Sequence, residues 1–275
     1  MDNIYIVRNK KKNFLSEQIK SLYRVLYRLL AVFLFLLLWE VISRLKLVNA
    51  IFLPPFTKVL EALYKLALSG ELVKHLSVSL WRSLMGFTLG LSFSIPFGLA
   101  IGWFRKFERF IDPLIQLFRN LPVLALLPVF VMIFGIGEIS KIAVIFWGVL
   151  WSVLLNTIAG VKSVEPQLIK AARSMGTPGV VLFIRVILPG ALPSIFTGIR
   201  ISATTSILIL IAAEMIGASR GLGYALYFYQ ANFKTPEMYS IIVIMALLGL
   251  SINYLLINIE ATAFRWKEKI GSEGK

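Results

Sequence analysis

The sequence predicts an all-α integral membrane protein with six transmembrane helices and both termini in the cytoplasm. Three observations support this prediction. Hydrophobic residues make up 58% of the 275 residues and charged residues only 16%, whereas soluble domains are about half apolar and about a quarter charged. Six stretches are apolar over the ~20 residues that a bilayer crossing requires. Basic residues are concentrated in alternate segments between those stretches.

The six apolar stretches follow one another at 26–45, 77–103, 111–134, 140–160, 192–216 and 238–260. With the N-terminus inside, the cytoplasmic segments hold more than twice as many Lys and Arg residues as the outer segments. Basic residues near the ends of spans hold loops in the cytoplasm, so the net charge of +15 indicates topology rather than nucleic-acid binding. The first stretch lacks a signal-peptide cleavage site, so we expect it to remain as a span.

Two outer segments have ordered patterns of their own. FLPPFTKVLEALYKLALSGEL contains two prolines followed by apolar residues at helical spacing. It is too short and too charged to span, so we expect a helix at the membrane interface. GASRGLGYALYFYQANF carries Tyr224, Tyr227 and Tyr229, a residue type enriched at headgroup level. For both segments, a surface helix without a specific role stays open.

The residue types present exclude several kinds of chemistry. The chain has no cysteine and a single histidine, His75, so we expect no thiol nucleophile and no metal site. No G-x-x-x-x-G-K-[ST] phosphate loop is present, and the tail GSEGK has a different spacing. No G-x-S-x-G or H-E-x-x-H pattern occurs either. We therefore expect no catalytic residue, which argues against an intramembrane enzyme.

The basic segment KAARSMGTPGVVLFIRVILP separates the fourth and fifth apolar stretches. Before it, Pro166 occupies a first helical position, where its missing N–H has no cost. Gly176 tolerates the left-handed conformation that ends many helices, and Pro178 prevents continuation. We therefore predict two short helices that meet at a glycine corner, the second over 179–187 and ending before Pro189.

The first of these short helices has an apolar face. Leu168, Ala172 and Met175 recur at helical spacing, and small residues surround the corner. Such a face in the cytoplasm has to be buried against protein or lipid. Small residues favour a close fit into a groove on a partner, whereas a helix on the membrane surface favours bulky apolar residues. Both interpretations stay open on these residues alone.

The spacing in this segment resembles the EAA loop of binding-protein-dependent ABC importer permeases. Two alanines, three residues, glycine, nine residues, an aliphatic residue, one residue and Leu-Pro match without a gap. The segment also lies between the fourth and fifth of six spans, where that family carries its loop. Lys170 stands where the motif has its leading glutamate. The matching positions are Ala171, Ala172, Gly176, Val186, Leu188 and Pro189.

Four further segments resemble the subfamily that serves aliphatic sulfonates, taurine, nitrate and bicarbonate. They are NLPVLALLPVFVMIFGIGEISKI, LLNTIAGVKSVEPQLIKAARSMG, ILPGALPSIFTGIRI and AAEMIGASRGLGY. The likeness extends from about Pro54 to Trp266. It implies a type I ABC importer transmembrane domain in the bacterial plasma (inner) membrane, which crosses that membrane several times.

The resemblance also implies partners for the chain. We expect a second permease copy in a homodimer, an ABC ATPase subunit for each copy, an extracytoplasmic substrate-binding protein and membrane lipid. ATP and Mg²⁺ would bind the partner ATPase, so we expect no cofactor in this chain. A coupling-helix loop at 161–189 would dock on the ATPase through Glu165, Lys170, Ala171, Ala172, Gly176, Leu188 and Pro189.

The expected organisation has four parts. They are a cytoplasmic basic segment at 1–25, the first transmembrane helix with the outer interfacial helix at 26–72, the transmembrane domain proper at 73–262 and a cytoplasmic tail at 263–275. Within the second span, Gly86 with Gly90 and Gly98 with Gly102 form two faces that permit close helix packing.

Charged residues inside the predicted spans are candidates for a transport path, because they usually face the bundle or water. Arg119 and Arg200 each lie about 12 Å from the cytoplasmic end of a span, at 1.5 Å per residue. They suit an anion path, and snorkelling to the interface stays open. Nearer the outside, we expect ion pairs among Glu40, Arg82 and Glu214, and Glu214 is a further candidate for the path.

These observations predict a permease subunit that forms the path for a small anion, with an aliphatic sulfonate or taurine as the leading substrate. Nitrate, bicarbonate and a vitamin precursor are the alternative substrates. A secondary transporter or channel that works without an ATPase is the alternative class of protein.

Overall fold

The structure is a computed structural model that describes residue 27 and residues 30–263. The predicted basic segment at 1–25 and the tail beyond residue 263 lie outside the described residues. In the described part, every regular element is a helix, so the predicted all-α fold is confirmed there.

The helices follow the predicted spans and fill the two outer segments. Among the described residues, a helix over 30–44 (α1) precedes ten further α-helices. These are α2 (Phe56–Leu68), α3 (Glu71–Trp103), α4 (Arg105–Arg119), α5 (Leu127–Phe134), α6 (Glu138–Lys162), α7 (Pro166–Ser174), α8 (Gly179–Leu182), α9 (Leu188–Gly217), α10 (Leu222–Ala231) and α11 (Thr235–Ala263).

The third predicted span differs from a straight helix over 111–134. In the described residues, four helical segments are long and apolar enough to cross a membrane, namely α3, α6, α8 with α9, and α11. The chain between α3 and α6 is broken instead, because the helical segments Arg105–Arg119 and Val123–Phe134 are bent by 87°. Pro122 lies at the break, and a proline disfavours helical geometry in the residue before it.

α3 and α6 pack against each other through glycines. Four glycines of α3 face α6, namely Gly86, Gly90, Gly98 and Gly102. A Cβ atom added at any of them would lie 2.6–2.7 Å from an α6 side chain. This close approach confirms the two predicted packing faces. Because the residue numbers rise together along both helices, α3 and α6 run in the same direction. The pairs are Gly86–Ile145, Gly90–Val149, Gly98–Thr157 and Gly102–Val161.

The shared direction of α3 and α6 explains the broken segment between them. α6 begins at Glu138, which accepts a hydrogen bond from Arg82 in the first half of α3. The chain therefore has to return from the far end of α3 to this end, and residues 105–134 make that return. α9 runs opposite to α6, because Gly160 approaches Ala191 and Gly148 approaches Ile209. The three long helices enclose an apolar core.

Substitution of alanine for Gly86 is expected to destabilise the fold by about 1–3 kcal/mol through overpacking. The added Cβ would lie 2.6 Å from the Ile145 Cβ atom and 2.9 Å from the Ile142 carbonyl oxygen. Gly249→Ala on α11 is the control, because its Cβ would meet nothing within 4 Å and alanine favours a helix. Thermal unfolding in detergent checks this, and equal midpoints for the two variants would contradict the close packing.

Candidate functional site

The loop between α6 and α9 contains a glycine corner with defined hydrogen bonds. The Thr177 N–H donates to the Ala172 carbonyl over 3.2 Å. The Gly176 N–H donates to the Arg173 carbonyl over 2.9 Å. Together these bonds form a Schellman motif, and Gly176 has a φ of +73°, which favours glycine. The predicted left-handed cap at Gly176 is confirmed.

The prediction that the second short helix ends before Pro189 is wrong. After α8 the chain passes through a π-helical turn, Phe183–Ile187, and continues directly into α9. The proline lies in the first turn of α9. The wider π turn departs from the regular hydrogen-bond pattern, so a residue without an N–H is tolerated next to it. The corner is therefore joined to α9 without an intervening loop.

The corner has one face packed on the bundle and another face exposed. Ala172 and Ile187 are buried, and Ile169 packs into the same apolar cluster as Ile187. Leu168 and Met175 are 54% and 77% exposed, so within this chain they do not pack on the bundle as Ala172 does. Burial of these two side chains against a partner stays a prediction. The helix points these two apolar side chains outward at the tip of the corner.

The remaining residues implied for ATPase docking lie along the same loop. Lys170 and Ala171 are exposed on α7, and Glu165 is exposed at its N-cap. Leu188 and Pro189 are half-buried at the start of α9. These residues thus give the loop a mixed surface, with the Lys170 cation, the Glu165 carboxylate and small side chains. Docking through this surface stays a prediction.

A buried ion-pair network joins α3, α6 and α9 at the end of the bundle where α6 begins. Arg82 is 2% exposed, and its Nη1 donates to Oε1 of the fully buried Glu214 over 2.7 Å. Nε and Nη2 of Arg82 donate to the two carboxylate oxygens of Glu138 over 2.5 and 2.6 Å. This bidentate geometry is the strong form of a charge-assisted pair.

Glu214 also holds the turn between α9 and α10. The Gly223 N–H donates to its Oε2 over 2.9 Å, and the Ser79 hydroxyl lies within 2.9 Å of both carboxylate oxygens. A Cβ at Gly221, where φ is +124°, would collide with this carboxylate. The turn is therefore packed on the network, and a side chain at Gly221 would displace Glu214.

The predicted ion pairs are confirmed in part. Arg82 pairs with Glu214, whereas Glu40 pairs with Arg44 over 2.5 Å and accepts a hydrogen bond from Thr57. Arg44 lies one helical turn from Glu40, so a local partner replaces the distant one. Sequence reasoning missed Glu138, because it precedes the predicted fourth span. Its place in the first turn of a helix after two glycines was the available signal.

A polar pocket of about 220 Å³ lies beside this network. The Gly221 N–H donates to Nδ1 of His75 over 3.1 Å, and the Tyr229 hydroxyl donates to Glu71 over 2.9 Å. Burial and the Glu71 carboxylate raise the pKa of Tyr229, so the phenol keeps its proton at neutral pH. Tyr229 is thus a buried donor, while Tyr227 is exposed.

Arg119 and Arg200, the two predicted path cations, have different surroundings. Arg200 pairs with Glu260 of α11 over 2.9 Å. Arg119 is the exposed last residue of α4, at the break, and forms no ion pair with the described residues. Phe118 contacts Trp151, and Gly198 approaches Ser152. The two arginines therefore lie at neighbouring levels along α6, and their role in a path stays a prediction.

Comparison with known families identifies the family of the chain. Residues 94–262, more than half of the chain, match the family described as binding-protein-dependent transport system inner membrane component. The chain belongs to this family. The matched range contains the broken segment 105–134, the corner and α9.

Individual relatives and solved structures agree with the family match. The taurine transport system permease protein of Escherichia coli K12 is 41% identical over 69% of this chain and 70% of its own length. A Bacillus subtilis 168 protein, provisionally named as an aliphatic sulfonates transport permease, is 34% identical over 84% and 83%. The MetNI methionine ABC transporter in an inward-facing form has a TM-score of 0.64 at 21% identity, over 71% and 97%. The last match shows the fold alone.

The chain is therefore an ABC transporter permease of the inner membrane, and its role is not catalytic. ATP is hydrolysed by a partner ATPase, and a substrate-binding protein delivers the cargo. This membership decides against the secondary transporter or channel that the sequence left open.

Proposed function

We propose that this permease forms, with a second copy of itself, the path for a small anion such as an aliphatic sulfonate or taurine. The observation that carries this proposal is the extent of its similarity to permeases named for those two substrates, which covers two thirds of the chain or more. Nitrate, bicarbonate and a vitamin precursor are the alternative substrates for the same role.

We infer that the glycine corner transmits ATPase movement to the membrane helices. Leu168 and Met175 are exposed at its tip, where an apolar groove on the ATPase would cover them. The Schellman bonds hold the corner rigid, and the π turn joins it directly to α9. Closure of two ATPase subunits would draw two corners together, which requires two permease copies because each chain has one corner.

We also propose six crossings with both termini in the cytoplasm. The broken segment 105–134 provides the third crossing, as the parallel α3 and α6 require. α1 lies beside the start of α11, since Trp39 contacts Tyr239 at a ring distance of 5.4 Å, and α1 would form the first crossing. A reporter fused after Lys275 that is active only outside the cell would contradict this arrangement.

The substrate is tested with the complete importer reconstituted in vesicles with its binding protein. We expect ATP-dependent uptake of taurine or a short alkanesulfonate, and no uptake of a neutral sugar or an organic cation. Mass spectrometry of the ligand retained by the purified binding protein gives an independent answer. A cation or neutral sugar retained there would overturn the anion assignment and leave the permease role intact.

Replacement of both Arg119 and Arg200 by glutamine is expected to slow anion uptake. For a charge and an anion separated by about 12 Å at an effective dielectric constant of about 20, the electrostatic effect is about tenfold. Arg119→Gln alone should account for most of the loss, because Glu260 neutralises Arg200. Arg44→Gln, in an exposed pair on α1, is the control. Normal uptake by the double variant, with the ATPase still bound, would favour snorkelling instead.

A further inference from the structure

Two buried hydrogen-bond donors on α6 have no partner. Among the described residues, the indole N–H groups of Trp147 and Trp151 are the buried side-chain polar atoms that form no hydrogen bond. An indole N–H can only donate. Inside a membrane, water does not replace a missing acceptor, so each unpaired donor destabilises this conformation. Two such donors lie one helical turn apart on the same helix.

Both indoles lie against the break in the third crossing. The Phe118 ring contacts Trp147 and Trp151 at centroid distances of 5.7 and 6.3 Å, and the two indoles are 5.2 Å apart. Phe118 is the last residue but one of α4, directly before the 87° bend. Interrupted membrane helices form substrate sites in many transporters, because their ends line a cavity. The two unpaired indole donors lie beside such an interruption, because both contact Phe118 at the end of α4.

The aromatic and aliphatic side chains that contact the two indoles offer no oxygen acceptor. Trp147 contacts the rings of Phe118 and Phe130, and Trp151 packs against a cluster that contains Ile115. A contact between an N–H group and an aromatic face is weaker than a hydrogen bond to oxygen. The Phe118 ring at the end of α4 is a contact that both indoles share.

The charge around this position favours an oxyanion. Arg119 follows Phe118 directly, is exposed and forms no ion pair with the described residues. Asp112, an acidic residue of α4, lies about two helical turns earlier in that helix. Neutral donors beside a cation complement a group with several oxygen acceptors and a negative charge.

We propose that Trp147 and Trp151 form a subsite that donates hydrogen bonds to the oxyanion head group of the transported anion. The subsite is covered in this structure and opens when Phe118 and the end of α4 move away from α6. Two neutral donors hold the anion without a second fixed charge, and weak binding of this kind permits release during transport. The inference rests on the proposed function, because it requires an anionic substrate.

The test measures uptake of labelled taurine and of a short alkanesulfonate by the reconstituted importer with its ATPase and binding protein. Trp147→Phe with Trp151→Phe keeps two aromatic rings and removes both N–H donors. Trp81→Phe, at an exposed position of α3, is the matched control. We expect the double variant to raise the apparent KM or lower the uptake rate about a hundredfold, because losing one hydrogen bond to a charged group costs about tenfold or more and the variant loses two. Its thermal midpoint should not fall below that of the control.

The outcomes separate this inference from the proposed function. If wild-type protein carries an anion and the double variant carries it equally well, the indole assignment is overturned and the anion permease remains. If wild-type protein carries only a neutral or cationic compound, the proposed function itself is overturned. If the double variant does not assemble, the single variants are measured, and each should lose about tenfold, which is half of the combined effect in free energy. Unchanged uptake in both single variants also overturns the inference.

Discussion

Arg82→Met is expected to lower the free energy of unfolding by about 3–5 kcal/mol, because it leaves the buried Glu214 carboxylate without its cation. Glu214 is fully buried and Arg82 is 2% exposed, so water does not solvate the Glu214 carboxylate once it has lost its partner. Ser79 and the Gly223 N–H still donate to Glu214 in the variant, but neither carries a positive charge. Thermal unfolding in detergent and the yield of monodisperse protein measure the loss.

A double variant separates the effect of an unpaired buried charge from the effect of the altered packing. Arg82→Met with Glu214→Leu removes both buried charges, and replacing a buried pair by apolar residues is often neutral or stabilising. We expect the double variant to recover most of the stability lost in Arg82→Met. Glu138 also loses Arg82 as its partner in this variant, but its side chain is 56% exposed and water can solvate its carboxylate. If the two substitutions are simply additive, the pair does not couple and the network has no energetic role.

The network has a mechanical consequence for transport. It joins α3, α6 and α9 at one end, and the glycine contacts join α3 to α6 along their length. These helices therefore form one rigid unit within a single chain. We expect movement in a transport cycle to be concentrated where packing is interrupted, namely at the break after Arg119 and at the interface with the proposed second copy.

The elements that sequence predicted correctly depend on local rules. Long apolar stretches gave the helices, small residues four positions apart gave the α3–α6 contact, and glycine followed by proline gave the left-handed cap at Gly176. In each case the deciding interaction lies within a few residues, or depends on one residue type that few others replace. The Arg82–Glu214 pair was predictable because two opposite charges in apolar surroundings require each other.

The features that sequence reasoning missed depend on contacts between distant segments. The break at Pro122 lies inside a stretch that the sequence predicts as one continuous span. The parallel packing of α3 and α6 shows that the chain has to return between them. Glu138 precedes its predicted span, yet it completes the Arg82 network across 56 positions. Pro189 predicts the end of a helix, but the chain continues from the π turn directly into α9. The unpaired indoles look like ordinary membrane tryptophans until their neighbours are known.

Gly176→Val is expected to uncouple ATP hydrolysis from transport while the complex still assembles. An added Cβ at Gly176 meets nothing within 4 Å, so the variant introduces no clash. Its φ of +73° disfavours a β-branched residue by about 1–2 kcal/mol or more, which shifts the corner out of the left-handed cap. We expect transport per ATP hydrolysed to fall about tenfold, the factor that corresponds to ~1.4 kcal/mol. Parallel assays of uptake and ATPase activity in vesicles measure this ratio.

Gly179→Val is the matched control for this prediction. It lies three residues further along the same loop, its added Cβ also meets nothing within 4 Å, and its φ lies outside the left-handed region. The two variants thus differ in backbone conformation and not in crowding. Gly176→Asn should retain most of the coupling, because asparagine adopts the left-handed conformation more readily than other residues. If Gly176→Val and Gly179→Val couple equally well, the left-handed cap does not transmit the ATPase movement, and the proposed coupling through the corner is wrong.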